Sequence, residues 1–93
     1  MVSAKAVLEH SDDVIAECVK AETILFDLTS GEYYSLNELG SRTWELLDGS
    51  RSVDALIEIL VSEYDAPAET IQRDVFTLLD DLVRSKLLLL VSA

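Results

Sequence analysis

The most regular apolar pattern in the chain lies between Ser52 and Tyr64. Starting at Val53, apolar residues recur at i, i+3, i+4, i+7, i+8 and i+11, a spacing that places them on one face of an α-helix. Ser52 precedes the pattern, and its hydroxyl can accept a hydrogen bond from a free N–H of the first turn. We therefore predict a helix over residues 53–64 and interpret it as purely structural.

Three shorter runs, rich in β-branched, aliphatic and aromatic residues, precede this helix. They occupy residues 14–19, 23–28 and 32–36, and their lengths and compositions are typical of strands. A three-residue connection that ends in Gly31 separates the last two runs, with glycine where a tight hairpin needs a positive φ. The pattern predicts a three-stranded antiparallel meander.

Two more helices flank the central one. The first is predicted over residues 38–47, because Asn37 is a suitable N-cap and Gly49 can take the left-handed conformation that ends a helix. Its inward stripe consists of Leu39, Thr43, Trp44 and Leu47. The third helix is predicted from Pro67, whose missing N–H costs nothing in a first turn, to about Ser85.

The two ends of the chain are harder to assign. Residues 1–5 are predicted to be a frayed tail and residues 6–8 a short extended piece, while residues 87–91 either extend the third helix or form a short strand. We predict a single domain over residues 1–93 with its core in about 14–91. Its fold class is α+β: a three-stranded antiparallel sheet followed by three helices, similar to a winged helix-turn-helix arrangement.

The third helix carries more apolar surface than a single core-facing stripe requires. At about 100° per residue, an ordinary stripe is extended by further apolar side chains to an arc of roughly 180°. The stripe consists of Ile71, Val75, Leu78 and Leu82, and the extension consists of Phe76, Leu79, Val83 and Leu87. Either the sheet and the C-terminal residues cover the excess, or a groove lies between this helix and the edge of strand 32–36, where a guest peptide could add as a strand.

The charge of the chain narrows the choice of partner. Of its 93 residues, 7 are basic and 18 acidic, which gives a net charge of −11. Binding to nucleic acid or to an anionic membrane is disfavoured, because both need Lys and Arg against phosphate. This argues against DNA binding, despite the similarity to a winged helix-turn-helix. A basic peptide or protein surface would be attracted.

Catalytic chemistry has little support in the sequence. A thiol–imidazole pair between His10 and Cys18 is conceivable, but we interpret Cys18 as a small apolar strand residue and His10 as an exposed side chain. No metal-ligand spacing or Gly-rich phosphate loop is present. We therefore predict no enzyme activity, no metal and no cofactor.

The sequence also favours a soluble, cytoplasmic protein. One cysteine excludes an internal disulfide and fits a reducing compartment. The first residues, MVSAKAVLEHSDD, lack the apolar segment of a signal peptide. The longest apolar run, Leu87–Val91, has five residues, too few to span a bilayer, which takes about 20.

Several positions, taken together, resemble one known family. Gly31, Tyr34, the Leu36-Asn37 pair, Gly40, Trp44 and the Asp48-Gly49 pair occur within the run FDLTSGEYYSLNELGSRTWELLDG. This run, with SVDALIEILVSEYD and DVFTLLDDLVRSKLLLL after it, resembles the pyrroloquinoline quinone biosynthesis protein D family. The resemblance covers residues 14–91 and implies a recognition element that binds the leader segment of a ribosomally made precursor peptide.

The resemblance also implies where the leader would bind. It would add as a fourth strand beside the third strand and pack against the third helix, with Arg73 and Asp80 as candidate rim charges that fix its register. The implied peptide-binding residues are Glu32, Tyr33, Tyr34, Ser35, Leu36, Gln72, Arg73, Phe76, Leu79, Asp80 and Val83. Tyr34 and Leu36 are expected to pack against the core, and Tyr33 to border or shield the groove.

The implied partners are the precursor peptide and its maturation enzymes. The chain is most similar to the stand-alone recognition proteins of lasso-peptide pathways, which present a precursor to a leader peptidase and a ring-closing enzyme. The alternatives are a carrier that presents its precursor to a radical-SAM enzyme, as in quinone cofactor biosynthesis, and a small dimerisation or structural module.

Overall fold

The computed structural model describes residues 2–92, which form five strands and three helices. In chain order these are β1 (Val7–His10), β2 (Val14–Val19), β3 (Glu22–Asp27), β4 (Tyr33–Leu36), α1 (Glu38–Leu46), α2 (Val53–Glu63), α3 (Ala68–Arg84) and β5 (Leu88–Ser92). The predicted α+β fold, a three-stranded antiparallel sheet followed by three helices, is confirmed. The strands β1 and β5 add a second, two-stranded sheet to it.

The three-stranded sheet has the order β2–β3–β4, and both of its pairs are antiparallel. Its inner face packs on the helices through Leu25 and Leu36, which are 0% and 4% exposed. Gly31 has a φ of +78° in the turn between β3 and β4, as the hairpin prediction requires. The sheet therefore holds β4 at one edge, directly before α1.

The C-terminal residues form a strand and do not extend α3. Strand β5 pairs antiparallel with β1, with Leu8 opposite Leu90 and His10 opposite Leu88. The chain leaves α3 through Lys86, whose φ of +63° reverses its direction. Of the two alternatives for residues 87–91, the short strand is correct.

The N-terminal residues are more ordered than predicted. The Val2 N–H donates to Asp80 Oδ1 at 2.7 Å, and the Asp54 N–H donates to the Ala4 carbonyl at 3.0 Å. Ala6 and Leu8 are each only 1% exposed. The frayed tail is therefore wrong for residues 2–5, residue 1 lies outside the described residues, and the core begins well before residue 14.

Capping side chains fix where α1 and α2 begin. Asn37 Oδ1 accepts the Gly40 N–H at 2.9 Å, and Ser52 Oγ accepts the Ala55 N–H at 3.2 Å, so both predicted N-caps are confirmed. The helices pack on Trp44, Leu56 and Leu60, which are 5%, 0% and 0% exposed. Within residues 2–92, none of the helices combines the length and apolarity needed to cross a bilayer.

Candidate functional site

The outer edge of β4 is open. The sheet order ends at β4, and within residues 2–92 no strand pairs with its outer side. The C-terminal strand, which could have covered this edge, pairs with β1 instead. An unpaired strand edge offers backbone donors and acceptors to another extended chain.

The register fixes which backbone groups of β4 face outward. The Asp27 N–H donates to the Glu32 carbonyl at 2.9 Å, so the pairs Leu25–Tyr34 and Thr23–Leu36 of the same ladder are also hydrogen-bonded. Because neighbouring residues of a strand direct their backbone groups to opposite sides, the N–H and C=O of Tyr33 and Ser35 point away from β3.

A groove of about 450 Å³ runs beside this edge, between β4, the start of α1 and α3. Its lining combines aliphatic side chains with polar and charged ones. The residues are Ser35, Leu36, Asn37, Leu39, Gly40, Thr43, Arg73, Asp74, Val75, Thr77, Leu78 and Asp81. An extended chain paired with β4 would therefore lie next to this groove, which has the mixed lining expected of a peptide site.

Close packing at Gly40 brings α1, β4 and α3 together at the groove. A Cβ atom added to Gly40 would lie 3.3 Å from Leu36 Cβ and 3.5 Å from Leu78 Cδ2. Because glycine lacks this atom, the first turn of α1 can lie against both side chains. Gly40 thereby positions Leu36 and Leu78 on either side of the groove.

The groove carries charges of both signs at Arg73, Asp74 and Asp81, and Asp81 pairs with Arg84, which lines the other cleft. Arg73 Nε lies 3.7 Å from Asp74 Oδ1, and Arg84 Nη1 lies 3.1 Å from Asp81 Oδ1. All four side chains are at least half exposed, so these ion pairs contribute little stability. The charged groups can therefore exchange their partners for charges on a bound chain.

The turn before β4 is held by a single carboxylate. Asp27 Oδ1 accepts the Thr29 N–H at 2.9 Å, and Asp27 Oδ2 accepts the Ser30 hydroxyl at 3.0 Å. The bond from the Thr29 N–H, with help from Ser30, lowers the pKa of Asp27 below its ordinary value. The charged form of Asp27 thus fixes the loop that places β4 at the edge.

The structure places the predicted β4 residues on both faces of the sheet. Tyr34 is half-buried and packs against the core together with Leu36, as predicted. Tyr33 lies on the opposite face, where its ring centroid is 4.7 Å from that of Phe26. Tyr33 does not line the groove, and the expectation that it shields a bound peptide stays a prediction. Glu32 precedes the strand and accepts the Tyr34 hydroxyl at 3.2 Å.

Of the predicted α3 residues, only Arg73 lines the groove beside β4. Leu79 is 0% exposed in the core, and Asp80 and Val83 line a different cleft. Phe76 is half-buried against the core and Gln72 is exposed, and neither lines the groove. These five positions do not line the groove beside β4, and their part in peptide binding stays a prediction.

The predicted and observed linings of the groove differ because a different side of α3 meets β4. The prediction extended the groove toward the apolar side of the core stripe, through Leu79 and Val83. The structure turns that side toward β5 and the N-terminal segment, so the alternative in which C-terminal residues cover the excess is correct. The groove lies on the other, more polar side of the stripe, at Asp74, Leu78 and Asp81.

Sequence reasoning missed the α1 contribution to the groove and the residues Asp74, Thr77, Leu78 and Asp81. The apolar pattern places Leu78 in the core stripe, but its side chain is half-buried and meets the groove. One signal was available: the carboxylates at 74 and 81 flank Leu78 on one helix face, so an apolar side chain there has a polar border. The periodicity of apolar residues does not show which side of the apolar stripe on α3 lies next to the edge of β4.

The two residues considered for catalysis have other contacts. The His10 ring stacks on Trp44 with 3.8 Å between centroids, and His10 Nε2 lies 2.7 Å from the Trp44 carbonyl oxygen, to which it donates. Cys18 is exposed, and its Sγ lies 3.3 Å from the Lys20 carbonyl oxygen. His10 thus joins β1 to the end of α1.

The sequence profile of the family described as Coenzyme PQQ synthesis protein D (PqqD) matches residues 22–88, which is well over half of the chain. The chain belongs to the PqqD family. The match runs from β3 to the start of β5 and includes β4, α1 and α3, so the open edge and the groove both lie inside the family's domain.

A curated protein that is similar in sequence to this PqqD-family chain is the PqqA binding protein of Gluconobacter oxydans (strain 621H). The two are 46% identical over 43 residues, which is 46% of this chain. The chain spans about half the length of this curated relative, with a coverage of 45%.

Several solved structures share the fold over most of this chain. The structure described as TbiB1 in complex with the TbiA(beta) leader peptide is 30% identical, with a TM-score of 0.77 over 86% of this chain and 93% of TbiB1. A lasso peptide synthetase B1 complexed with the leader peptide has a TM-score of 0.78 at 24% identity, over 90% of this chain and 99% of that one. The heterocyclase TruD matches 91% of this PqqD-family chain, with a TM-score of 0.62 and 18% identity. The matching part makes up 11% of the TruD chain.

Proposed function

We propose that this PqqD-family chain binds the leader segment of a ribosomally synthesised precursor peptide by β-strand addition and presents it to maturation enzymes. The observation that carries the proposal is the open edge of β4 beside a groove that α3 completes. Tyr33 and Ser35 offer two N–H and two C=O groups there, and the groove lies within reach of side chains on the added strand.

The energetics suit a peptide of moderate affinity. Each backbone hydrogen bond contributes about 0.5–1.5 kcal/mol net. A fully buried aliphatic or aromatic anchor beside Leu36 and Leu78 contributes about 1.5–3 kcal/mol. Four bonds and two anchors together contribute about 5–12 kcal/mol before the ordering cost of the peptide is subtracted, so a micromolar complex, at roughly −8 kcal/mol, also needs further contacts along the groove.

The similar proteins support the choice of ligand. TbiB1 is solved with a leader peptide, and the curated relative is named for its binding to PqqA. A lasso peptide synthetase B1 of the same fold is also solved with a leader peptide. We therefore favour a lasso-peptide pathway, in which a leader peptidase and a ring-closing enzyme receive the peptide. Carriage of a precursor to a radical-SAM enzyme is the second candidate.

The geometry supports one set of binding residues. Backbone groups of Tyr33 and Ser35 pair with the leader, Leu36 and Leu78 contact its anchors, and Arg73 pairs with a carboxylate on it. Of the positions implied by the resemblance, Gln72, Phe76, Leu79, Asp80 and Val83 lie outside the groove, which argues against direct contact with a peptide held there. The chain supplies binding and no catalytic group.

A titration with two known peptides tests the proposal. The ¹⁵N-labelled protein is titrated with the TbiA(β) leader peptide and, separately, with PqqA. We expect saturable shifts of the Tyr33 and Ser35 amides with one or both peptides, and tighter binding of the leader if the lasso assignment is correct. Binding that leaves β4 unchanged, or no binding of either peptide, contradicts the proposal.

A pair of matched variants tests the groove. Leu78→Ala removes an aliphatic side chain from the groove beside β4, and Val83→Ala removes one from the cleft on the other side of α3. We expect Leu78→Ala to weaken leader binding about tenfold or more, and Val83→Ala to change it less than twofold. Equal losses would place the peptide elsewhere. Urea unfolding of both variants controls for stability.

A further inference from the structure

A row of three apolar side chains crosses the face of the three-stranded sheet that points away from the helices. The register places Ile15 of β2 opposite Phe26 of β3, and Phe26 opposite Tyr33 of β4. We call these three residues the outer row. Phe26 and Tyr33 contact each other, with 4.7 Å between their ring centroids.

The outer row is unusually open for an apolar cluster. Tyr33 is 70% exposed and Ile15 is 54% exposed, and within residues 2–92 no helix or loop covers the pair. Contiguous apolar side chains on a surface commonly mark a place where another chain binds. The groove beside α3 does not use them, because none of the three lines it.

The end of the row coincides with the open edge. Tyr33 is the last member, and its own N–H and C=O point outward from β4. A strand added there must place alternate side chains on the two faces of the sheet. The guest residues that enter the groove are therefore separated by residues whose side chains lie on the outer face, beside Tyr33.

We infer that Tyr33 is a specificity-determining residue, which selects leader segments that carry an aromatic or β-branched residue on the outer face of the added strand. This guest side chain continues the outer row as its fourth member, because aromatic and β-branched side chains pair favourably across neighbouring strands. The inference rests on the proposed function and adds a second recognition face to it.

A sequence rule for the guest follows. A strand recognised only through the groove would need apolar residues at every second position, with polar residues between them. A strand recognised on both faces needs two adjacent apolar residues, one for Leu78 and the next for Tyr33. The leader segment should therefore contain an apolar pair in which at least one member is aromatic or β-branched.

The test uses fluorescein-labelled TbiA(β) leader peptide and fluorescence polarisation. Tyr33→Ala should weaken binding about three- to tenfold, the range of a cross-strand aromatic contact. Tyr33→Phe should bind within twofold of the wild type, because the ring is retained. Ile15→Ala is the matched control: it removes an exposed member of the same row roughly 14 Å from the guest strand, and should change binding less than twofold.

An alanine scan of the peptide locates the contact. In the wild type, two adjacent peptide positions should matter. In Tyr33→Ala one of them should lose its effect, and in Leu78→Ala its neighbour should lose its effect, as a double-mutant cycle requires for direct partners.

Each contrary result has a separate meaning. If the peptide shifts the β4 amides and Tyr33→Ala binds as tightly as the wild type, the inference is wrong and the proposed function stands. If Ile15→Ala weakens binding as much as Tyr33→Ala, the row has another occupant, such as a second copy of the chain, and the inference is again wrong. If the wild type does not bind the peptide, the proposed function and the inference fail together.

Discussion

At the scale of single residues, Ser35 is the sharpest test of strand addition. Its N–H faces the open edge, so replacing it with proline removes one donor to the guest without breaking a bond to β3. We expect Ser35→Pro to weaken leader binding about tenfold or more, because a guest carbonyl is left without a donor and the ring approaches it. Ser35→Ala should bind like the wild type.

The measurement for Ser35 is a polarisation titration, accompanied by circular dichroism and the fluorescence of Trp44. Trp44 is the single tryptophan and is 5% exposed, so its emission reports whether the core is intact. A folded Ser35→Pro variant with normal affinity would mean that the leader does not pair with β4.

Asp27 provides a second prediction at this scale, concerning pH. The pKa of Asp27 is lowered in the folded protein, chiefly by the Thr29 N–H. Its charged form therefore stabilises the fold fully above the unfolded-state pKa of about 3.9, and this contribution is lost as the pH falls further. The difference in unfolding free energy between wild type and Asp27→Asn should be largest near pH 7 and shrink below about pH 4.

Urea unfolding at pH 7 and pH 3 measures this difference. The comparison between variants cancels the general effect of acid on a chain of net charge −11. Ser30→Ala removes only the hydroxyl that donates to Asp27 Oδ2, and should give a smaller difference in the same direction. A difference for Asp27→Asn that is the same at both pH values would mean that its charge does not hold the turn.

At the scale of elements, β5 completes the core on the side of α3 opposite the groove. Leu88 is 1% exposed, whereas its neighbour Leu89 is 44% exposed. Leu88→Ala should lower the free energy of unfolding by about 2–5 kcal/mol, and Leu89→Ala by less than about 0.5 kcal/mol. Chemical denaturation measures both values. Equal costs would mean that β5 does not pack as a half-buried strand.

Strand β5 illustrates the difference between local structure, which the sequence could predict, and long-range pairing, which it could not. Elements with a local signal were predicted within one or two residues: α2 from its periodicity, α1 from Asn37, and the hairpin from Gly31. The pairing of β5 with β1 joins residues about 80 positions apart, and no local pattern encodes that pairing. The excess apolar arc of α3 was real, but it marked the side that β5 and the N-terminal segment cover.

The candidate site also has one part that the sequence could predict and one part that it could not. The edge of β4 was predictable because a meander leaves its last strand at an edge unless another strand joins it. The α3 half of the groove was not predictable, because Leu78 and Leu79 are neighbours on the helix and only the tertiary packing decides which one meets β4. Charge did not help, since Arg73 and Asp80 are seven residues apart on the same face of α3, yet Arg73 lines the groove and Asp80 lines the cleft beside the N-terminal segment.

At the scale of the whole molecule, the net charge of −11 acts on every encounter with a peptide. The field of the chain attracts cations over distances of about one Debye length, roughly 8 Å at physiological ionic strength. Charges on the guest outside the paired segment should therefore change the association rate and leave the dissociation rate nearly unchanged.

Two versions of the TbiA(β) leader peptide test this effect, one extended by two lysines and one by two glutamates beyond the paired segment. At low salt the lysine version should associate several-fold faster than the glutamate version, and at about 0.5 M NaCl the two rates should converge, because salt screens exposed charges. Stopped-flow fluorescence measures both rates. A difference confined to the dissociation rate would mean that the added charges contact the rim at Asp74 or Asp81 directly, and the long-range account would be wrong.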